Sequence, residues 1–190
     1  MDPSTSNTIN SKQPSIQAPG YHLPTPTTEL SGAIELPFQF MATTFGSAET
    51  LAQITLSSSA PLTKMMSSYR HCKLTQCSAE LTPNAGAIAN PLTVNLVWVP
   101  ANSTASPPDI LNVYGGSSFV LGGAITAAKT ISVPLPANSV NLMLKDSVLY
   151  SDTPKLLAYS PAPTTPSKTP TATLQIRGRI LLSSPLLQSS

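Results

Sequence analysis

Apolar residues recur at every second position through much of this chain, in short stretches cut off by prolines and glycines. Ile34, Leu36, Phe38 and Phe40 alternate with Glu35, Pro37, Gln39 and Met41, and Leu92, Val94, Leu96 and Trp98 keep the same step until Pro100. Successive side chains of an extended strand point to opposite faces, so this period buries one face of a sheet and leaves the other open. A helix needs a period near 3.6 instead. The pattern therefore restricts the chain to an all-β fold.

The remaining segments follow the same rule. Ala52, Ile54 and Leu56 alternate with Gln53 and Thr55. SFVL lies between the glycine pairs 115–116 and 122–123. Ile131, Val133 and Leu135 form a strand, as do residues 155–160. Leu174, Ile176, Gly178, Ile180 and Leu182 alternate with Gln175, Arg177 and Arg179. Between Tyr69 and Thr82 the phase slips. Cys72 and Leu74 share one face, whereas Cys77, Ala79 and Leu81 have the opposite parity. One extra residue near Thr75–Gln76, a β-bulge, produces such a slip. Pro37 places the first strand at an edge or a bulge. Residues 60–67 read as one short helical turn, and PPDILNVYGG as a brief helix opened by its prolines. Residues 138–145 are expected to be helical.

Eight strands in two packed sheets is the jelly-roll count. An immunoglobulin-like sandwich would need about seven, with more regular turns. The expected architecture is an eight-stranded antiparallel jelly-roll sandwich over residues 32–187, with short helical insertions. Residues 1–31 are polar, proline-rich and aperiodic, and read as a flexible N-terminal arm. Lys12 stands there against Asp2 and Glu29, so the arm is not basic.

Charge is scarce: 9% of residues are charged and the formal net charge is +2, against about 25% charged in an average globular domain. A surface so poor in charge is poorly suited to a free monomer. Other protein must cover much of it, and further copies of the same chain are the simplest cover. No run reaches the ~18 apolar residues of a membrane-spanning helix. The start, MDPSTSNTIN, lacks the basic and apolar regions of a signal peptide, which leads us to expect cytosolic synthesis. Cys72 and Cys77 lie about 16 Å apart along an extended strand, beyond the ~7 Å of a disulfide. Two buried free thiols are expected. A metal site of His71, Cys72 and Cys77 is conceivable, but its spacing matches no common zinc pattern.

Catalytic patterns are nearly absent. There is no H-E-x-x-H, G-x-S-x-G or G-x-x-x-x-G-K-[ST], and no lysine follows the glycines of GGSSFVLGG. Asp146 and Asp152 would have to meet in space to act as paired carboxylates, and nothing in the sequence brings them together. Asn102-Ser103-Thr104 fits a glycosylation acceptor only in a secreted protein. An enzyme is therefore not expected. Two charged groupings stand out instead. The stretch 145–155 holds Lys145, Asp146, Asp152 and Lys155, which with Arg70 suit ion pairs that set register between subunits, or simply a solvated loop. In the second, parity turns His71 and Lys73 outward on one strand, and Arg177 and Arg179 outward on the last. In a jelly roll of the usual topology the fourth and last strands lie side by side, which would gather these four into one weakly basic patch. The patch is either an ordinary solvated sheet face or a phosphate contact.

The stretches YRH (69–71), WVPANS (98–103), VYGGSSFVLGGAI (113–125) and LKDSVLYSDTPKLL (144–157) resemble the coat proteins of tymoviruses, small icosahedral plant RNA viruses. The likeness keeps register from about residue 33 to 187. It implies a jelly roll, and about 180 copies in a T=3 shell of pentamers and hexamers. The shell would enclose a positive-sense single-stranded RNA in the virion, with assembly in the host plant cytoplasm. It places Trp98, Lys145, Asp146, Asp152 and Lys155 at or near subunit contacts, and turns His71 inward. Lys73, Arg177, Arg179 and Lys12 would then face RNA with His71. At +2 per chain, the copies together carry about a tenth of the charge of a genome thousands of nucleotides long. No tightly bound cofactor is expected, and polyamines or divalent cations would neutralise most of the RNA. The alternative is a carbohydrate-binding jelly roll, but such a site usually displays clustered aromatics. Here aromatics are only 5%, with Trp98 the single tryptophan.

Overall fold

The computed structural model describes residues 32–123, 129–146, 148–164 and 167–186. The chain divides into Met1–Leu30 and Ser31–Ser190, and every described residue belongs to the second unit. The expected arm, Lys12 included, lies outside the described residues.

The elements run β1 (Ile34–Phe45), β2 (Thr50–Thr55), α1 (Ala60–Met66), β3 (Tyr69–Pro83), β4 (Leu92–Pro100), β5 (Ser117–Leu121), β6 (Ile131–Pro134), β7 (Met143–Lys145), β8 (Pro154–Ser160) and β9 (Ala172–Pro185). One antiparallel sheet has the order β1-β9-β3-β6, with β7 also on β3; the other has the order β2-β8-β4-β5. The strand carrying His71 is thus the third in the chain rather than the fourth, and it does lie beside the last. Pro37 sits on the edge strand β1, where a residue without an N–H leaves no central ladder bond unmade.

Alternation builds the core between the sheets. Leu74 and Leu81 of β3, Leu96 of β4, Leu156 of β8 and Leu174 and Ile176 of β9 are all fully buried there. Each such side chain contributes about 1.5–3 kcal/mol relative to exposure. A smaller second cluster forms on the outer face of the β2-β8-β4-β5 sheet. There Val97, Val99 and Leu157 pack beneath Ile110 of a 3-10 helix, Pro107–Asn112. This explains why β4 is apolar on both faces.

The parity slip in β3 is real. Register against β9 shifts between Leu74 and Gln76. Opposite this bulge stands Gly178, paired with Cys77 on one side and Phe38 on the other. A Cβ at Gly178 would lie 2.1 Å from the Gln76 carbonyl oxygen, so the bulge demands a residue without a side chain.

The helix expected over 138–145 does not form. Residues 143–145 are strand, not helix, so the described residues hold nine strands rather than eight. β6 pairs with Ser78–Leu81 and β7 with Cys72–Lys73. The two therefore share one edge of β3, on either side of its bulge. The Leu74 amide donates to the Leu142 carbonyl at 2.8 Å, and the Leu135 amide to the Cys77 carbonyl at 3.0 Å. Tertiary pairing, not local propensity, makes β7 a strand.

Thr55 pairs with Lys155, and Pro100 with Pro154. The segments after β2, β4 and β7 therefore leave the sandwich at one end. The helix α1 and the 3-10 helix Pro107–Asn112 lie in the first two.

Candidate functional site

The outer face of the β1-β9-β3-β6 sheet carries the cations that parity turned outward. His71 and Lys73 lie on β3, and Arg177 and Arg179 on β9. Three of them meet a carboxylate of the same chain. His71 Nδ1 lies 2.7 Å from Asp146 Oδ1, Arg179 pairs with Glu35 at 3.2 Å, and Arg177 pairs with Glu80. Among the described residues Lys73 alone of the four makes no ion pair. The expected weakly basic patch is thereby corrected: three acids interleave with the four cations. The Thr75 hydroxyl donates to Glu35 at 2.6 Å. This bond is the largest influence holding the Glu35 carboxyl below its usual range; desolvation opposes it, and the Arg179 guanidinium adds to the lowering. A shallow groove of about 710 Å³ crosses the same face. Gln39, Ser78, Ser132 and the two arginines line it, with no tyrosine or tryptophan.

The loop end of the sandwich holds the second charged grouping. Lys145 Nζ donates to the Met66 carbonyl at 2.8 Å, placing a cation on the last carbonyl of α1, where the helix dipole favours it. Lys155, only 7% exposed, donates to the Ser103 carbonyl at 2.9 Å and pins the loop after β4. Asp152 accepts from the Asn141 side-chain amide at 3.2 Å. Tyr150 donates to Asp146 at 3.2 Å, and that bond raises the tyrosine's pKa. Arg70 is exposed. Trp98 is 5% exposed, its ring within the chain's own core. Two apolar side chains at this end are bare: Tyr114 at 100% and Leu149 at 98% exposure.

Both cysteines are free and buried. Burial pushes each thiol up to about 12. His71 points to the outer face while Cys72 points into the core, so the two do not converge on one ion.

Residues 18–190 match the family model described as tymovirus coat protein. This chain belongs to the tymovirus coat proteins. The coat protein is 66% identical to the capsid protein of Eggplant mosaic virus over 96% of its own length and 97% of that relative. Among solved structures it resembles Desmodium yellow mottle tymovirus, with TM-score 0.81 and 40% identity, covering 83% of this chain and 90% of that one. It also resembles the empty head of Turnip yellow mosaic virus, with TM-score 0.80 and 32% identity, covering 82% of each chain. Its role is structural: it is a capsid subunit with a jelly-roll fold.

Sequence reading located the sheet face of this coat protein but missed its acids. Parity alone turns Glu35 and Glu80 outward with the arginines. What it lacks is the register that sets Ser78 opposite Arg177 and Leu36 opposite Ile180. Tyr114 and Leu149 were also missed as exposed residues, since a lone apolar residue in a loop carries no period.

Proposed function

We propose that about 180 copies of this coat protein close a T=3 shell of pentamers and hexamers around a positive-sense single-stranded RNA. Assembly takes place in the host plant cytoplasm. Subunit contacts involve Arg70, Lys145, Asp146, Asp152 and Lys155, with Trp98 buttressing them from beneath. His71, Lys73, Arg177 and Arg179 line the RNA side, and Lys12 faces RNA as well. The observation that carries this reading is similarity, over nearly the whole chain, to the capsid protein of Eggplant mosaic virus and to the structure of Desmodium yellow mottle tymovirus.

The ion pairs on the sheet face bear on how the RNA is held. Cations already matched to Glu35, Glu80 and Asp146 offer little net field to phosphate. Contact with RNA is sequence-nonspecific, and polyamines or divalent cations neutralise most of it. The shell itself is held by protein–protein contacts. A solved empty head of Turnip yellow mosaic virus supports that independence in a relative.

Two measurements test the proposal. RNA-free shells of the full chain are expected to sediment intact at ~1 M salt, where the Debye length falls to ~3 Å; dissociation there would overturn it. Purified RNA-filled particles are expected to release polyamines or divalent cations on disruption, and particles without either would contradict the packaging reading.

A further inference from the structure

The loop between β4 and β5 closes in a tight turn where it projects. The Gly116 amide donates to the Val113 carbonyl at 2.9 Å. A Cβ at Gly116 would fall 2.0 Å from the Ile110 carbonyl oxygen, and Gly115 has φ +89. This tight turn holds Tyr114 entirely in solvent, 100% exposed. A tyrosine buries ~150–250 Å² when covered, and fixing it in advance removes much of the ordering cost of contact. In a chain with so few charged groups, a bare aromatic carried on an ordered turn has the form of a knob.

A matching hole lies at the same end of the fold. Between α1 and the segment after β7 runs a groove of about 340 Å³ with Thr63, Met66, Leu144, Lys145, Leu149 and Tyr150 among its walls. Recognition pockets for small organic groups begin near ~300 Å³, so one phenol ring fits. Charge also matches. Asp109, exposed on the same loop as Tyr114, accepts from the Ser106 hydroxyl. It meets no cation among the described residues. Beside the groove, Lys145 has used one N–H on Met66, and Lys64 lies exposed on α1; the one acid in the groove wall, Asp146, is already engaged by His71 and Tyr150.

We propose that Tyr114 of one subunit seats in the α1–β7 groove of a neighbouring copy, with Asp109 facing that copy's Lys64 and Lys145. Knob and hole are different patches. The knob's loop follows β4 of one sheet, whereas the hole is built on β7 of the other. The contact is therefore heterologous and runs around a ring instead of closing a two-fold pair. The inference rests on the chain assembling as a shell.

The test places the photocrosslinking residue p-benzoylphenylalanine at position 114 of the full chain, in assembled particles. Irradiation is expected to give a band at twice the chain mass, with mass spectrometry locating the link at Met66 or within residues 144–150. Links confined to one chain, to residues 1–31, to RNA or to another surface would overturn the proposal while leaving the shell reading standing. An unmodified chain that forms no particles would instead defeat the shell reading. Separately, Tyr114→Ala is expected to lower particle yield roughly tenfold, as loss of a hot-spot aromatic does. The unassembled subunit should keep its circular dichroism spectrum. Full yield would overturn the proposal.

Discussion

The indole N–H of Trp98 donates to the carbonyl of Val133 at 3.2 Å, and so ties β4 of one sheet to β6 of the other. β6 is four residues long and pairs with β3 along one edge only. Trp98→Phe keeps most of the apolar bulk but abandons this bond in a largely buried setting. It is expected to cost the subunit about 1–3 kcal/mol, read by urea denaturation followed by circular dichroism. A change below about 0.5 kcal/mol, the size of an ordinary surface substitution, would show that the bond is dispensable.

Gly178 tests the bulge. Its missing side chain leaves room for the Gln76 carbonyl, which a Cβ would approach to 2.1 Å. That oxygen belongs to the backbone of a central strand and has little freedom to withdraw. Gly178→Ala is expected to destabilise by about 1–3 kcal/mol or more through overpacking, lowering the urea midpoint of the subunit. An unchanged midpoint would mean that the bulge can slide.

Glu35 gives the sheet face a defined response to acid. Its folded pKa lies below the ordinary glutamate value of 4.5, with the Thr75 hydrogen bond the largest cause. A carboxyl whose folded pKa is depressed contributes stability that is present above its unfolded pKa and lost as pH falls through the folded value. Thr75→Val removes the main cause, so Glu35 should titrate at higher pH, closer to 4.5. Carbon-detected NMR titration of the Glu35 carboxyl measures this directly. An identical midpoint in wild type and variant would contradict the assignment.

The thiols predict chemical silence. With folded values of about 12 at both Cys72 and Cys77, against ~8.5 for a free cysteine, almost no thiolate exists at pH 8. The native subunit should resist a disulfide reagent such as DTNB, and both thiols should react once urea unfolds the chain. Because the folded values are raised, the associated stability is complete below ~8.5 and declines as pH climbs toward 12. Rapid native labelling at pH 8 would refute the buried placement.

How much of this was legible beforehand depended on length and register. β4 and β9 announced themselves, since nine and fourteen residues give a period room to repeat. The bulge in β3 was legible too, because an extra residue inverts the parity of everything after it. β7 was not: three residues cannot display a period, and its strand character comes from β3. The ion pairs were half legible. Parity put Glu35, Glu80 and the arginines on one face, but partner choice follows strand register, which no single strand encodes. His71 and Asp146 meet only because β7 pairs with β3 at Cys72 and Lys73.

The pairing of cation with anion across the sheet face has a consequence for distance. A lone charge is felt far into solution, whereas neighbouring opposite charges act as dipoles, whose field fades more steeply. Such a surface resembles a zwitterionic coating: indifferent to a polyanion a few ångströms away and responsive only on touch. A nucleic acid beside this wall would keep its mobility until small ions or direct contact arrested it, and could leave without tearing the wall apart.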